Sequence, residues 1–426
     1  MMKKKDWIFI GILAVILFVL CTPMFNSELI WDDGFYFKNN LLLNEHRPLT
    51  EAFRTGYFGE QMGLKNVDHY YRPLLTASFM IENKLWGVHP AALRMVNLLL
   101  FILAVTAFFS FLKRVSTAAL VPEIAVLLFA LHPMNVDNIL WAVARSDLLL
   151  LLFGCLAFLC LELFIEKAKP VFWLLGSASF LLGMFSKESF FLFWPALLVF
   201  EVVRRKKVNL PFHALNALAV AVFFMVKTGL LGIRNPQFVF MPGLVQNVKV
   251  AVGTVGFYVK SLVWPFSPRL FLPLTGTAAP GLLALGAAGL LALAYLGYRM
   301  LRERILAVPL ALGFVFLAGH AAMAFSSSFP YTIYARYAMV SWLGLAWALA
   351  VLSGRLDDKV RLYPVLALVL IFLPTMYLNA GVYKSEVVFW QTAAARAPKD
   401  SYILYQSANA QYVRNDIPDA ELLLNR

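Results

Sequence analysis

Two adjacent carboxylates, Asp32 and Asp33, stand in the stretch Asn26-Ser-Glu-Leu-Ile-Trp-Asp-Asp-Gly-Phe-Tyr-Phe-Lys-Asn-Asn40, directly after the first apolar segment. Neighbouring side chains diverge in any regular backbone, so one carboxylate can face a substrate while the other caps a loop or holds a cation. Helix caps and solvated turns use the same residue type. Beside a membrane, however, a carboxylate is costly unless it is partnered or used.

Further along the chain, cations recur at positions expected to emerge on the same side. Arg72 sits in Tyr70-Tyr-Arg-Pro-Leu74, where it can clamp a phosphate, pair with Asp32 or Asp33, or simply anchor an aromatic loop. His132 and Arg145 bound His132-Pro-Met-Asn-Val-Asp-Asn-Ile-Leu-Trp-Ala-Val-Ala-Arg-Ser-Asp147. There Pro133 can open a short helix that puts Asp137, Trp141 and Arg145 on one face, with Ser146 and Asp147 capping the next span. Lys187 and Glu188 form a charged outer turn, and Arg336 lies in Tyr331-Thr-Ile-Tyr-Ala-Arg-Tyr337, with Tyr334 and Tyr337 read as interfacial belt residues.

An acidic pair with cations around it suits sugar transfer from a lipid phosphate. Phosphate already leaves well and needs positive charge more than a general acid. The acceptor hydroxyl needs a base, which an Asp within hydrogen-bond reach supplies, Asp33 or failing that Asp32, and a single displacement of this type inverts the anomeric carbon. A divalent cation at the acidic pair is a further option, although no His/Asp spacing identifies a metal site.

The elements that must position these residues are apolar helices. The chain has 426 residues, 61% hydrophobic and 14% charged, with repeated apolar runs long enough to cross a bilayer. An all-α polytopic membrane protein of about eleven spans is expected. Of the 37 Lys and Arg, 17 fall in six short clusters between apolar runs, from Lys3-Lys-Lys5 to Arg355/Lys359/Arg361. The net charge of +13 is therefore the positive-inside bias, not a nucleic-acid patch. The first apolar segment reads as an uncleaved span that delivers Asp32 and Asp33 to the far side. Cys21, Cys155 and Cys160 lie in or beside apolar runs, so neither a disulfide framework nor a zinc site follows.

Residues 1–382 form the expected membrane domain, with a large first extracytoplasmic loop at 24–92 that contains the Asp68-His69 motif. Residues 229–277 fit the alternation only as a re-entrant or interfacial segment, which leaves Arg234, Lys249, Lys260 and Arg269 outside against the charge rule and in want of an anionic partner. Residues 383–426 read as an incomplete helical tail like the opening of a tetratricopeptide repeat, either cut short or docked on the membrane domain.

Through Trp31-Asp-Asp33, Tyr71-Arg-Pro-Leu74, His132-Pro, Val136, Arg145-Ser-Asp147, Lys187-Glu188, Arg234-Asn-Pro236, Ala335-Arg-Tyr337 and the repeat-like tail, the chain resembles the transmembrane and tetratricopeptide-repeat-containing mannosyltransferases and their bacterial relatives. These belong to the C-type glycosyltransferases, with the protein O-mannosyltransferases. The resemblance implies a polyprenyl-phosphate sugar donor, a protein or glycan acceptor, an acidic catalytic residue in the first outer loop (Asp32 or Asp33), and donor-phosphate contacts from Arg72, His132, Arg145, Lys187, Arg234 and Arg336. It also implies a bacterial inner membrane with a periplasmic site. Ala335 departs from the Glu that relatives often carry before Arg-Tyr, and the repeat array is nearly absent. The competing classes are a lipid-linked saccharide flippase or other transporter, and a membrane scaffold. A transporter would place ionisable residues at the bilayer midplane and show an internal repeat. Here they gather at the outer boundary, and no repeat is evident.

Overall fold

The computed structural model describes residues 2–57, 70–234, 240, 243–264, 271–322, 325, 332–398 and 400–414. It is almost wholly helical. The helices are α1 (Lys4–Leu20), α2 (Asp32–Asn39), α3 (Leu41–Asn44), α4 (Pro73–Trp86), α5 (Pro90–Val115), α6 (Val121–Ala130), α7 (Asn135–Leu140), α8 (Arg145–Lys167), α9 (Pro170–Ser186) and α10 (Phe193–Arg205). They continue as α11 (Leu210–Phe224), α12 (Leu244–Val263), α13 (Pro280–Arg302), α14 (Arg304–Ala322), α15 (Met339–Ser353), α16 (Asp358–Gly381), α17 (Glu386–Arg396) and α18 (Ser401–Tyr412). Proline occupies the first turn of α4, α5, α6, α9, α11 and α13, where its missing N–H has no intrahelical partner to lose. One antiparallel pair of strands, β1 (Phe271–Pro273) and β2 (Thr332–Tyr334), joins Phe271 to Tyr334 in register and so leads the backbone into Arg336.

Among the described residues, eight helices are long and apolar enough to cross a membrane, those built on α1, α5, α8, α11, α13, α14, α15 and α16. The expected number was about eleven, and the difference lies in three shorter helices. The stretches near 118–131, 171–185 and 190–203 form α6, α9 and α10, of 10, 17 and 13 residues. At 1.5 Å per residue none of these reaches about 30 Å. The 83% burial of the apolar stretch in α15, against 17% for α13, puts α15 at the centre of the bundle and α13 at its rim.

The segment expected to be re-entrant supplies α12, which lies directly against α13. A Cβ added at Gly256 would stand 1.9 Å from the Leu282 carbonyl oxygen, and one at Gly286 2.0 Å from that of Val252. Only glycine permits the two backbones to touch in this way. Arg269, Asp68 and His69 lie outside the described residues, as do Asn235-Pro236 and the end of the tail from Asn415.

The tail from Glu386 folds as the helical pair α17–α18 and lies on the membrane domain. Trp390 and Phe389 face Trp31 and Trp141, with ring centroids at 5.2 and 6.0 Å. Arg414 pairs with Glu28, and Glu28 N–H donates to the Lys384 carbonyl at 3.0 Å.

Candidate active site

The acidic pair opens α2. Its preceding residue, Trp31, has φ 47° and ψ −119°, a conformation that favours glycine and costs a bulky residue roughly 1–3 kcal/mol. Trp31 is held there by rings on three sides: Trp141 at 5.2 Å, Trp390 at 5.2 Å and Tyr334 at 6.1 Å. The turn sends the two carboxyls into different surroundings. Asp33 is fully buried, and its oxygens accept from the backbone N–H groups of Ala142 at 3.1 Å and Val143 at 2.9 Å. Asp32 is half-buried and accepts from the indole N–H of Trp141.

Burial pushes the Asp32 carboxyl up to about 6, against the pull of the Arg336 guanidinium. Burial and then the charge of Asp32 push Asp33 up to about 7. Each carboxyl therefore titrates near neutrality, where a general base is most useful.

Arg336 reaches this pair from the start of the span that contains α15. Its guanidinium carbon lies 4.2 Å from the Trp141 ring centroid, 5.2 Å from Tyr334 and 5.5 Å from Tyr337. Its Nε and Nη1 are buried and make no hydrogen bond. Rings thus hold this cation in place without neutralising it.

Lys187 and Arg72 complete a cationic cluster around Tyr337. The Lys187 ammonium pairs with Asp147 and sits 4.5 Å from the Tyr337 ring centroid. Burial pulls its pKa down to about 8, and the charges of Arg72 and Arg336 also oppose its protonation while Asp147 favours it. Arg72 Nε donates to Glu188 at 3.0 Å, and the Arg72 guanidinium covers Tyr70 at 4.5 Å. The other Glu188 oxygen accepts from Tyr71 N–H at 2.8 Å. The Lys187-Glu188 turn therefore ties the Tyr-Arg-Pro-Leu motif to Asp147.

Three sequence candidates lie elsewhere. Arg145 is buried with every guanidinium nitrogen engaged: Nε donates to Asn97 at 2.7 Å, Nη1 to Ser78 at 3.1 Å and to Glu82, and Nη2 to the Leu93 carbonyl at 3.0 Å. The expected single face of Asp137, Trp141 and Arg145 does not form, because α7 ends at Leu140 and Trp141 is extended at φ −86° and ψ 111°. His132 is buried, with Nε2 3.0 Å from the Leu262 carbonyl and Nδ1 accepting from Met134 N–H. Burial lowers its pKa to about 4, which leaves the ring neutral and removes the charge a phosphate contact would use. Arg234 is exposed at the edge of the described residues.

Among the described residues, no three His, Cys, Asp or Glu side chains stand where they could hold a metal. Both oxygens of Asp33 already accept backbone N–H groups, so the acidic pair offers a cation only Asp32. No step is derived through a metal.

Two supporting residues of α5, Arg94 and Asn97, were not singled out in the sequence. Trp141 sits on a connection splinted by α5: Arg94 Nε donates to the Leu140 carbonyl at 2.6 Å, and Asn97 Nδ2 to the Ile139 and Trp141 carbonyls at 3.2 Å each. A buried arginine and asparagine three residues apart inside an apolar helix were the available signal. Asp137 is buried and accepts from the Tyr383 hydroxyl at 2.8 Å, and burial raises its pKa to about 6.

Residues 73–228 match the sequence model of a family described as dolichyl-phosphate-mannose-protein mannosyltransferase. The chain is 30% identical over 164 residues to Protein O-mannosyl-transferase TMTC4 of Homo sapiens, a match covering 35% of this chain and 22% of that protein. It is 30% identical over 135 residues to human Protein O-mannosyl-transferase TMTC2, covering 32% of this chain and 16% of that protein. It is 24% identical over 216 residues to Protein O-mannosyl-transferase F38B6.6 of Caenorhabditis elegans, covering 50% of this chain and 30% of that protein. The chain thus spans less than a third of the length of each of these relatives. No solved structure matches it. The matched stretch contains the Tyr-Arg-Pro-Leu remainder, Arg145-Ser-Asp147 and Lys187-Glu188, and over it the chain is similar to the protein O-mannosyltransferases named above.

Proposed function

We propose that this protein is a membrane glycosyltransferase that moves a sugar from a polyprenyl-phosphate donor to an acceptor hydroxyl. The observation that carries the reading is the pairing of a half-buried carboxylate, Asp32, with a guanidinium, Arg336, whose buried Nε and Nη1 have no hydrogen-bond partner. Both side chains meet at the Trp141 ring.

In this mechanism Asp32 takes the proton of the acceptor hydroxyl as its oxygen bonds to the anomeric carbon. The bond from that carbon to the phosphate oxygen breaks, its electron pair leaves with the lipid phosphate, and the configuration inverts. Arg336 with Lys187 and Arg72 meets the negative charge gathering on the leaving oxygens, in a site where burial strengthens each contact. Asp33 acts through position: it fixes the Ala142–Val143 backbone and with it the Trp141 indole that orients Asp32. The names of the relatives make mannose the first sugar to test and a protein hydroxyl the first acceptor. A bacterial inner membrane with the site on its periplasmic face fits the basic clusters on the opposite side.

The test is transfer of radiolabelled sugar from a panel of polyprenyl-phosphate sugars, in membranes holding wild type, Asp32→Asn or Asp33→Asn. Transfer that survives Asp32→Asn in full would remove Asp32 as the base. A wild type that binds no donor would bring the transporter reading forward.

A further inference from the structure

Beyond Arg336, two more side chains with unmade hydrogen bonds converge on Tyr337. His320, near the end of α14, is 4% exposed and stacks on the Tyr337 ring with centroids 5.3 Å apart and planes 15° apart. Neither of its ring nitrogens makes a hydrogen bond; the Phe316 carbonyl, one turn back, lies beside the ring without completing one. Tyr258, on α12, is fully buried, its hydroxyl has no partner, and it is an electrostatic neighbour of Tyr337. Lys187 and Asp147 act electrostatically on His320 as well. Buried polar groups are almost always hydrogen-bonded, and leaving one unmade costs more than making it gains. Unmade donors from α12, α14 and the start of the α15 span, brought to one tyrosine beside two cations, mark a place for an anion rich in acceptor oxygens.

We infer that His320 and Tyr258 belong to the donor-phosphate site, His320 donating an N–H and Tyr258 its hydroxyl to non-bridging phosphate oxygens beside Arg336. The inference rests on the proposed function and extends its phosphate contacts to α12 and α14. A neutral imidazole suits the position, since a third full cation beside Lys187 and Arg336 would repel both. Its second nitrogen can accept a hydrogen bond from a sugar hydroxyl.

The experiment is equilibrium binding of radiolabelled polyprenyl phosphate, without sugar, to the purified full chain in lipid nanodiscs. His320→Phe keeps the ring stack and removes both nitrogens; about tenfold weaker binding is expected, with His320→Gln recovering most of it. Tyr258→Phe deletes one oxygen and serves where a His320 variant fails to fold; a loss of about two- to fivefold is expected. In sugar transfer the same variants should raise the KM for donor more than they lower kcat. Should His320→Phe and Tyr258→Phe bind as wild type while Arg336→Gln does not, the two residues are structural and the donor site stands without them. If Arg336→Gln also binds as wild type, the phosphate site itself is misplaced.

Discussion

The two ends of the helix bundle differ in how they hold one arginine: Lys187 and Arg72 pair with Asp147 and Glu188 as the cations of the basic face pair with acids, and Arg336 does not. On the basic face, cations meet carboxylates. Lys113 bridges Asp6 and Glu123 at 3.1 Å each, Arg114 pairs with Glu166, Arg204 with Glu162, and Arg299 and Arg355 share Glu303. At the other end Arg336 has aromatic rings where those arginines have acids, and two of its nitrogens are buried without a hydrogen bond. An ion pair closes the account locally and ties two helices. A cation caged by rings keeps its field, so the second arrangement is the one that can receive a ligand.

The comparison breaks most decisively at Asp32. Asp32→Asn removes the base and should lower transfer about 10²- to 10⁴-fold with the thermal midpoint unchanged, as radiolabel transfer and a melting curve on the same membranes would read. Asp33→Asn should do the reverse in kind. An amide replaces one acceptor oxygen with a donor, so one of the Ala142 and Val143 N–H groups is left unpaired, at a cost of about 1–3 kcal/mol in stability. Two adjacent residues of one type would then separate into a chemical and a positional role.

Arg336→Gln should cost about 10²-fold in kcat/KM for donor, with little change in melting temperature because no ion pair is lost. Trp390→Ala should lower stability by about 3–5 kcal/mol, since this fully buried ring covers Trp31, and should reduce transfer through a loosened Trp31–Asp32 turn.

The pH profile sharpens the same contrast. Asp32 must be ionised to accept a proton, so kcat/KM should rise tenfold per pH unit below about 6 and level off above it. Lys187 must be protonated to attract phosphate, so the profile should fall again above about 8. Lys187→Arg should move only the alkaline limb. A carboxyl raised in the folded state binds protons more tightly there than in the unfolded chain. Stability should therefore decline, not grow, as pH rises from about 4 toward 7 through the Asp32 and Asp33 titrations.

Much of this was legible in the residue order, and the reasons differ by element. Long apolar runs and basic clusters specify membrane helices because the bilayer imposes length and charge rules on each segment separately. Arg72, Lys187 and Arg336 could be singled out because a cation at an apolar boundary is rare. Arg145 satisfied the same criterion and turned out to serve packing, since its partners Asn97 and Glu82 lie on α5 and α4. Local sequence carries no information on which distant helix will supply a partner. His320 and Tyr258 carry no signal for the same reason: each is an ordinary core residue until the fold brings it to Tyr337. The Trp31 turn has no sequence signal either, because the rings packed around it, Trp141, Tyr334 and Trp390, come from distant parts of the chain.

The smallest effect is expected on the basic face, and it tests whether ion pairs there are merely structural. In the Arg114–Glu166 pair the side chains are 16% and 32% exposed, so water screens the attraction and both acid and base keep part of their hydration. Arg114→Ala should lower stability by less than about 1 kcal/mol and leave transfer within twofold of wild type. A large loss of transfer at normal stability would mean that the basic face communicates with the Asp32 site, and the division of labour between the two ends of the bundle would have to be redrawn. Raising the salt concentration separates the two cases further. It should weaken the Arg114 contribution, which is partly open to water, and leave the Arg336–Trp141 contact nearly unchanged, because that contact is enclosed by Tyr334 and Tyr337.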